Sequence, residues 1–340
     1  MASVVGWDIG GAHLKAARAE DGRIVDAVQV ASPLRLGLEA LAQAFAQARP
    51  KMGEADHHVC TMTGELADTF ASRAEGVERL AAAAVRALEP GRIALYAGRA
   101  GFIAPQGAAR HAEDIASANW HATAALVAKL RGTALLIDMG STTTDIVPVA
   151  AGAITARGYS DAERLACGEL VYTGLVRSFV MAIAERAPVA GVWTPLVHEN
   201  FANMADVHRL LQNLADGVDQ MPAADGRPKT LAGSRARLAR MVGRDADDGQ
   251  DWTLLARWFA EAQIRAMADA AMLVLSRGEL PGEAPIVAAG IGGAVIGEVA
   301  RRLGRTCFGF ESLLDVAPHA RAAASHCAPA AALALLASSA

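Results

Sequence analysis

Cysteine is scarce in this chain: its 340 residues include four, at the widely separated positions 60, 167, 307 and 327. No Cys-x-x-Cys pair occurs, which argues against a zinc knuckle or a redox dithiol. Reduced cysteines in a cytosolic protein are the simplest account. The N-terminus lacks the basic segment followed by an apolar run that marks a secretory signal. The apolar C-terminal run 328–340 is too short to span a bilayer. We therefore predict a cytoplasmic protein with no membrane partner.

Excess basic charge and aromatic side chains are also missing. The chain has 32 basic and 36 acidic residues, a net charge of −4, so it shows no electrostatic footprint for nucleic acid. Aromatic residues make up 5% and hydrophobic residues 53%, a balance typical of a helix-rich α/β protein. A single core stops growing at roughly 250–300 residues. We therefore expect two domains that act on small molecules.

A repeated pattern organises the chain. A buried strand is predicted at Val4–Ile9, followed by Gly10-Gly11 and a hairpin, and a second strand at Thr133–Ile137 leads into Asp138-Met139-Gly140 and another hairpin. Two such units predict a duplicated α/β domain with a cleft between the halves. The predicted first domain covers 1–128 plus a C-terminal helix at 313–340. The predicted second domain covers 129–312 with a helical insertion at about 185–280, and Leu165–Ala184 is predicted to be helical.

The first loop reads Asp8-Ile9-Gly10-Gly11-Ala12-His13-Leu14-Lys15. Its two glycines allow backbone N–H groups to approach an anion closely. Lys15 can add a point charge to the same phosphate. Asp8, at a strand end, suits a magnesium ion bound through water. Taken alone, Gly10-Gly11 is equally explained as a tight turn.

The second loop places four hydroxyl residues after a glycine and brackets them with two aspartates. We expect its backbone and side chains to bind phosphate at Gly140, Ser141, Thr142 and Thr143, and Asp138 and Asp145 to carry magnesium together with Asp8. A third glycine-rich turn follows the strand predicted at Pro285–Ala289 and precedes a helix, as a phosphate-binding turn does. Its candidate residues are Gly290, Gly292 and Gly293. A plain hairpin or turn is the alternative for each loop by itself.

Together the three loops resemble the phosphate-1, phosphate-2 and adenosine motifs of the sugar kinase–heat-shock protein–actin superfamily. The segment Asp138-Met139-Gly140-Ser141-Thr142-Thr143-Thr144-Asp145-Ile146 resembles the DMGGTSTD segment of the hydantoinase A/oxoprolinase family more closely still. This resemblance implies two ribonuclease-H-like domains of the actin-like ATPase type around a central cleft.

Four further segments resemble a narrower group, the tetrahydromethanopterin-linked C1-transfer pathway proteins. These segments are Thr61–Asp68, Ala118–Ala122, Asn203–Val207 and Asp225–Lys229. Archaeal relatives of that group resemble the synthase of methanofuran biosynthesis. The resemblance implies a transferase that condenses (5-(aminomethyl)furan-3-yl)methyl diphosphate with the phenol of a glutamyl-tyramine or tyrosine unit. Pyrophosphate is released, and Mg²⁺ is the implied cofactor.

Several side chains are candidates for the chemistry. Lys15 is expected to act on the leaving group, Asp145 is a further catalytic candidate, and the base is sought among His13, Glu65 and His121. Any one of these histidines is also explained as a hydrogen-bonded structural residue. The candidates for substrate binding are Asn119, Arg227, Lys229, Arg235 and Arg237. The basic stretch among them either clamps glutamyl carboxylates or forms a solvated helix face.

Two other functional classes stay open at this point. One is an ATP-dependent kinase or a hydantoinase-type amide hydrolase, and the other is a non-catalytic, actin-like nucleotide switch. The first loop lacks the hydroxyl residues common in the phosphate-1 loops of sugar kinases, which tells against γ-phosphoryl transfer. The segment between Leu165 and Pro285 has no obvious sugar-binding Asn-Asp pair. A homo-oligomer is compatible with each class.

Overall fold

A computed structural model of the chain describes residues 3–338. Its first half contains one sheet and the helices that cover it. The elements are β1 (Ser3–Ile9), β2 (His13–Glu20), β3 (Arg23–Ala31), α1 (Leu38–Met52), β4 (His57–Met62), α2 (Arg73–Leu88), β5 (Arg92–Tyr96), β6 (Phe102–Ile103), α3 (Ala112–Ile115) and α4 (Asn119–Arg131).

The second half repeats this plan and adds an insertion. The elements are β7 (Ala134–Met139), β8 (Thr144–Ala150), β9 (Ala153–Ile154), α5 (Asp161–Cys167), β10 (Leu170–Val171), α6 (Val180–Ile183), β11 (Arg186–Val189), β12 (Val192–Pro195), α7 (Met204–Leu210), α8 (Leu231–Arg240), α9 (Trp252–Leu275), β13 (Ile286–Gly290), α10 (Gly293–Arg302), β14 (Cys307–Gly309), α11 (Arg321–His326) and α12 (Ala328–Ser338).

The first sheet has the strand order β3-β2-β1-β4-β5-β6. Its central strand β1 pairs antiparallel with β2 and parallel with β4, and its side chains from Val4 to Ile9 are buried. A strand that is covered on both faces is expected to be apolar throughout. The β2–β3 hairpin turns at Asp21 and Gly22, which have positive φ of 48° and 81°, as a type I′ turn requires.

The second sheet repeats this arrangement. Strand β7 pairs antiparallel with β8 and parallel with β13, which in turn pairs parallel with β14. The β8–β9 hairpin turns at Ala151 and Gly152, again with positive φ, 51° and 80°. Both β9 and β10 pair with the outer edge of β8. The duplicated strand–loop–hairpin unit seen in the sequence therefore opens each sheet.

The C-terminal segment returns to the first sheet. Helix α12 packs on β1 so closely that a Cβ atom on Gly6 would lie 2.0 Å from the carbonyl oxygen of Ala330. The segment is not the single predicted helix 313–340. It contains a 3₁₀ turn at Pro318–Ala320, then α11 and α12, with a bend of 109°. Residues 339 and 340 lie outside the described residues, and the predicted domain boundaries stay a prediction.

Within residues 3–338, no single helix is long and apolar enough to cross a bilayer. The bent pair Pro318–His326 and Ala328–Ser338 together has sufficient length and apolar composition. Residues 328–334 of that pair are buried in the protein core, which accounts for their apolar character.

The prediction of a helix over Leu165–Ala184 is wrong. Helix α5 ends at Cys167, followed by Gly168 in the left-handed region with φ 77°. The chain then forms β10, and a Cβ atom on Gly174 would lie 2.4 Å from the backbone nitrogen of Thr142. The segment is extended because it packs against the second loop, a tertiary contact that helical periodicity does not report.

Candidate functional site

A cavity of about 480 Å³ lies where the two halves meet. The β1–β2 loop contributes Gly10, Gly11 and His13 to its lining, and the β7–β8 loop contributes Gly140, Ser141, Thr142 and Thr143. Asp8, Lys15, Asn119, Asp138 and Asp145 complete the predicted residues that line it. The two loops therefore meet at one site, as the cleft prediction requires.

Both loops are closed by the same backbone turn. The Gly10 amide donates to the His13 carbonyl at 2.9 Å, and the Gly140 amide donates to the Thr143 carbonyl at 2.9 Å. These two amides are thereby occupied. Within residues 3–338 no backbone carbonyl accepts a hydrogen bond from the amides of Gly11, Ala12, Ser141 or Thr142. Successive amides of this kind form an anion-binding concavity.

Neighbouring segments hold each loop in place. The carbonyl of Gly11 accepts from the Leu34 amide at 3.0 Å, and that of Ala12 accepts from the Ser32 amide at 2.8 Å. In the second loop, the Gly140 carbonyl accepts from the Leu175 amide at 3.0 Å. Because the carbonyl groups are satisfied by these segments, the loop backbones are fixed before any ligand arrives.

Buried carboxyl groups lie beside the loops. Burial, together with the neighbouring carboxylates of Asp145 and Asp8, raises the pKa of Asp138 to about 7 against the opposing charge of Lys15. Burial also raises the pKa of Asp8, although Lys15 opposes the change. The Oδ1 atom of Asp8 is buried and has no hydrogen-bond partner in the described structure. Like charges gathered in this way are stabilised by a cation.

These carboxylates fit magnesium better through water than directly. Within the described residues, no group of three or more His, Cys, Asp or Glu side chains is arranged to hold a metal ion. Magnesium keeps several of its waters and often uses one or two carboxylates with substrate phosphates. Asp8, with its unpartnered oxygen, and Asp138 suit that role. Asp145 is less available to bind magnesium than these two residues, because its Oδ1 accepts a hydrogen bond from Arg164 Nη1 at 2.9 Å.

Lys15 is the cation of the first loop. Its Nζ lies 3.8 Å from Asp8 Oδ2. Burial alone would lower the pKa of Lys15, but Asp8, Asp138 and Asp145 together raise it above its ordinary value, so its ammonium group stays charged. Burial, with Lys15 and Arg177 adding to it, lowers the pKa of His13 to about 3. His13 is therefore neutral at pH 7, and its buried Nε2 has no partner in the described structure.

Arg164 is a buried residue of the site that sequence reasoning missed. It comes from α5 and is fully buried. Its Nη2 donates to the Glu169 carbonyl at 2.9 Å, and its guanidinium carbon lies 4.2 Å from the centre of the Trp120 ring. Because Arg164 also holds Asp145, it fixes that carboxylate and compensates part of its charge. The sequence signal that could have located it is the Ser160-x-x-Glu163 capping box, which marks the start of the helix that carries Arg164.

Glu65 lies buried just beyond the cavity lining. Ser117 Oγ contacts Glu65 Oε1 at 2.8 Å and Asp161 Oδ2 at 3.1 Å, and Ser117 and Asp161 both line the cavity. A hydroxyl has one proton, so it cannot donate to two carboxylates at once. Burial raises the pKa of Glu65 to about 7. Glu65 therefore gains and loses its proton near neutral pH.

The other predicted residues have different surroundings. His121 does not face the cleft: its Nδ1 pairs with the Tyr96 hydroxyl at 2.8 Å, and it lines a separate cavity with Arg99 and Trp120. In the third loop Ile291 lines the main cavity. Gly290 and Gly292 pack against the backbone or side chain of Met139, so their small size serves packing there.

The basic stretch is not at the cavity. Arg227, Lys229 and Arg235 are exposed and lie outside its lining. Arg237 is fully buried, and its guanidinium group contacts Asp206 at 2.7 Å and Asp225 at 3.0 Å. The predicted carboxylate clamp is therefore corrected: these side chains are surface groups or part of the internal packing of the insertion.

Other cationic and aromatic side chains line the cavity instead. Arg35 lies in the 3₁₀ turn Leu34–Leu36, and Tyr172 and Arg177 follow β10. No sequence motif marks these residues. They reach the site because two loops, distant in sequence, converge on it.

Known proteins resemble this chain in sequence and in fold. Residues 56–338 match the family model described as Hydantoinase/oxoprolinase. A (4-{4-[2-(gamma-L-glutamylamino)ethyl]phenoxymethyl}furan-2-yl)methanamine synthase of Methanocaldococcus jannaschii is 31% identical over 201 residues, 59% of this chain and 60% of that protein. A synthase of the same name from Methanococcus vannielii is 31% identical over 111 residues, 33% of this chain and 50% of that protein. The matches thus span less than two thirds of each relative.

Among solved structures, nucleotide-free acetone carboxylase superimposes with a TM-score of 0.58 at 11% identity, over 97% of this chain and 70% of that one. At this identity the likeness concerns the fold alone. Together with the duplicated sheets, it confirms the predicted fold class of two ribonuclease-H-like domains of the actin-like ATPase type.

Proposed function

Because the chain belongs to the hydantoinase/oxoprolinase family, as its second loop predicted, we propose that its cleft joins a furan-methyl diphosphate to the oxygen of a phenol. The product name printed for the two synthases, at 31% identity, contains a phenoxymethyl group on a furan. That group is an ether between a phenol oxygen and a furan-bound CH₂. The proposal places the same bond-forming reaction in this chain, with an aminomethylfuran diphosphate as donor and a glutamyl-tyramine or tyrosine unit as acceptor.

One observation carries the proposal: two matching loops and Lys15 converge on one cavity. A leaving pyrophosphate gains negative charge as its bond to carbon breaks, and fixed amides, hydroxyls and an ammonium group stabilise that charge. The available amides of Gly11, Ala12, Ser141 and Thr142 suit a group with many oxygens. An amide that is hydrolysed without ATP carries no phosphate for these groups to bind.

The bonds and protons balance in the proposed step. The bond between the furan-bound CH₂ and the diphosphate oxygen breaks, and its electron pair leaves with pyrophosphate. The furan ring delocalises the positive charge on the CH₂, which then bonds to the phenol oxygen. The phenol proton passes to a base. The products are the aryl ether, pyrophosphate and one proton.

We consider two candidate groups for receiving that proton. His13 is neutral, lines the cavity and has an unpartnered Nε2, and we propose that it orients the phenol or takes its proton. Asp161 also lines the cavity and is linked through Ser117 to Glu65. In its ionised form, which a pKa of about 7 leaves populated at neutral pH, Glu65 receives the proton through this link in the second proposed route.

Magnesium is part of the proposal. Asp8 and Asp138 would hold it through water, and when bound it would neutralise charge on the diphosphate. The protein's own contribution is to fix the phosphates with the loop amides and Lys15. The acceptor then needs to be held in line with the breaking bond.

The test is a turnover assay with the aminomethylfuran diphosphate, magnesium and γ-glutamyltyramine. Pyrophosphate release and ether formation in equal amounts, without ATP, are expected. ATP should act at most as a weak competitor. Rapid ATP turnover, with no pyrophosphate released in the presence of any phenolic acceptor, would favour the hypothesis of a kinase instead.

A further inference from the structure

Two arginines line the cavity without a carboxylate partner. Among residues 3–338, neither Arg35 nor Arg177 takes part in an ion pair within 4.0 Å, whereas Arg164 in the same cavity is paired with Asp145. In the described part of the chain, the one side-chain hydrogen bond of Arg177 goes to the Thr142 hydroxyl at 3.4 Å. Their positive charge is therefore not compensated by the protein.

Each arginine is attached to one of the two loops. Arg35 follows Leu34, whose amide donates to the Gly11 carbonyl at 3.0 Å. The Arg177 amide donates to the Ser141 carbonyl at 2.7 Å. One arginine thus comes from each half of the molecule. Burial lowers the pKa of Arg177, and the charge of Arg35 lowers it further, so the two guanidinium groups are close enough to repel each other.

An anion between them would remove this repulsion. Guanidinium groups are planar and bind carboxylates through two parallel hydrogen bonds. The diphosphate already has the loop amides, the hydroxyls and Lys15. Arg35 is exposed, which places it at the open edge of the cavity, and apolar or aromatic groups of Pro33, Leu66 and Tyr172 also line the cavity. A phenol ring fits among such groups, with its acidic end toward the solvent.

We propose that Arg35 and Arg177 form a subsite for the carboxylate of the acceptor, shared between the two halves of the protein. This inference rests on the proposed function, because it assigns one end of the acceptor in that reaction. It makes the glutamyl group a recognition element rather than a passive substituent. It also replaces the basic stretch 227–244, whose basic residues do not line the cavity.

The experiment compares two acceptors in three variants. Arg35→Ala and Arg177→Ala are assayed with γ-glutamyltyramine and with tyramine, which lacks the carboxylate. Arg110→Ala, an exposed arginine outside the cavity, is the matched control. Each arginine variant should raise the KM for γ-glutamyltyramine roughly tenfold to a hundredfold, the usual effect of losing a charged hydrogen bond. The KM for tyramine and for the diphosphate should stay unchanged.

Other results overturn the subsite. An equal rise in KM for both acceptors would show that the arginines do not recognise the carboxylate. A rise in KM for the diphosphate alone would assign them to the leaving group. Calorimetry with γ-glutamyltyramine, without donor, separates this inference from the reaction. Arginine-dependent binding supports the subsite even if no pyrophosphate is ever released, and absent or arginine-independent binding contradicts it.

Discussion

At the scale of single residues, the site depends on charges that the fold keeps out of water. Lys15 is held 3.8 Å from Asp8 and is kept protonated by three carboxylates. Its charge is therefore available where pyrophosphate would leave. An interaction that strengthens as charge develops raises the rate of the chemical step more than it raises substrate affinity.

Lys15→Ala is expected to lower kcat roughly a hundredfold to a thousandfold, since losing one aimed donor costs about 2–4 kcal/mol. The KM for the acceptor should change little. Lys51→Ala, at an exposed lysine of α1, serves as the control. Steady-state kinetics of pyrophosphate release measure both constants. A variant that mainly raises the acceptor KM would place Lys15 in acceptor binding.

Glu65 gives a prediction about stability and pH. Its pKa is 4.5 in an unfolded chain and about 7 in the fold, because it is buried. The contribution of this group is fully present below pH 4.5 and is lost as pH rises through about 7, because only the folded state holds the proton in between. Glu65→Gln should remove about 3 kcal/mol of this pH dependence.

Urea unfolding between pH 4.5 and 8 measures that difference against wild type. Asp138 contributes a dependence of the same sign to both proteins, so it cancels in the comparison. Glu78→Gln, on the exposed face of α2, should unfold like wild type at every pH. If the free energy of unfolding of wild type and of Glu65→Gln changes with pH in parallel, the raised pKa of Glu65 is refuted.

Residues near a motif could be predicted from the sequence, and residues brought in by tertiary contacts could not. The predictions for Lys15, Asp8 and Asp138 rest on strand ends, where backbone direction and spacing fix the position of the side chain. Arg35 and Arg177 lie next to the same loops, but their neighbourhood depends on Leu34 and Leu175 donating to loop carbonyls. Nothing in the local pattern reports such bonds.

At the scale of elements, the segment after α5 explains how the second loop keeps its shape. Gly174 packs directly on the backbone of Ser141 and Thr142. Gln263 of α9 then holds the segment, donating to Thr173 Oγ1 at 2.8 Å and to the Gly174 carbonyl at 2.9 Å. The apolar spacing of Leu165–Ala184 predicts a helix. This prediction fails because local spacing does not reveal the tertiary contacts of Gly174 and Gln263.

Gly174→Ala should displace the second loop, because the new Cβ would lie 2.4 Å from the Thr142 nitrogen. Overpacking of this kind usually costs about 1–3 kcal/mol. We expect a fold that survives, with an affinity for magnesium pyrophosphate lowered at least tenfold. Calorimetry provides the affinity and circular dichroism checks the fold. Gly282→Ala, where a Cβ meets nothing within 4 Å, is the control. Unchanged affinity in Gly174→Ala would separate this loop from phosphate binding.

At the scale of the whole molecule, each sheet contributes one loop and one buried aspartate to the same cavity. Asp8 is the penultimate residue of β1 and Asp138 is that of β7, and both line the cavity. The duplication was visible in the sequence because its unit is local, a strand followed by a turn and a hairpin. The insertion and the bent C-terminus were less predictable, since their course depends on packing against distant elements.

A ligand that needs both halves should stabilise the whole protein. Magnesium pyrophosphate at a hundred times its Kd is expected to raise the free energy of unfolding by about 2.7 kcal/mol. Asp8→Asn and Asp138→Asn should each abolish the magnesium-dependent part of this stabilisation. Asp247→Asn, exposed in the insertion, should keep it. Thermal unfolding with and without magnesium is the measurement, and wild-type behaviour in both cleft variants would contradict the predicted metal role.

The central claim is that the bond between carbon and oxygen breaks, rather than a bond between phosphorus and oxygen. A heavy-oxygen label at the bridging oxygen of the aminomethylfuran diphosphate tests it in a single turnover with γ-glutamyltyramine. We predict that the label leaves with pyrophosphate, because the ether oxygen comes from the phenol. Mass spectrometry of both products locates it. Label retained in the furan product would show cleavage at phosphorus and would contradict the proposed transferase.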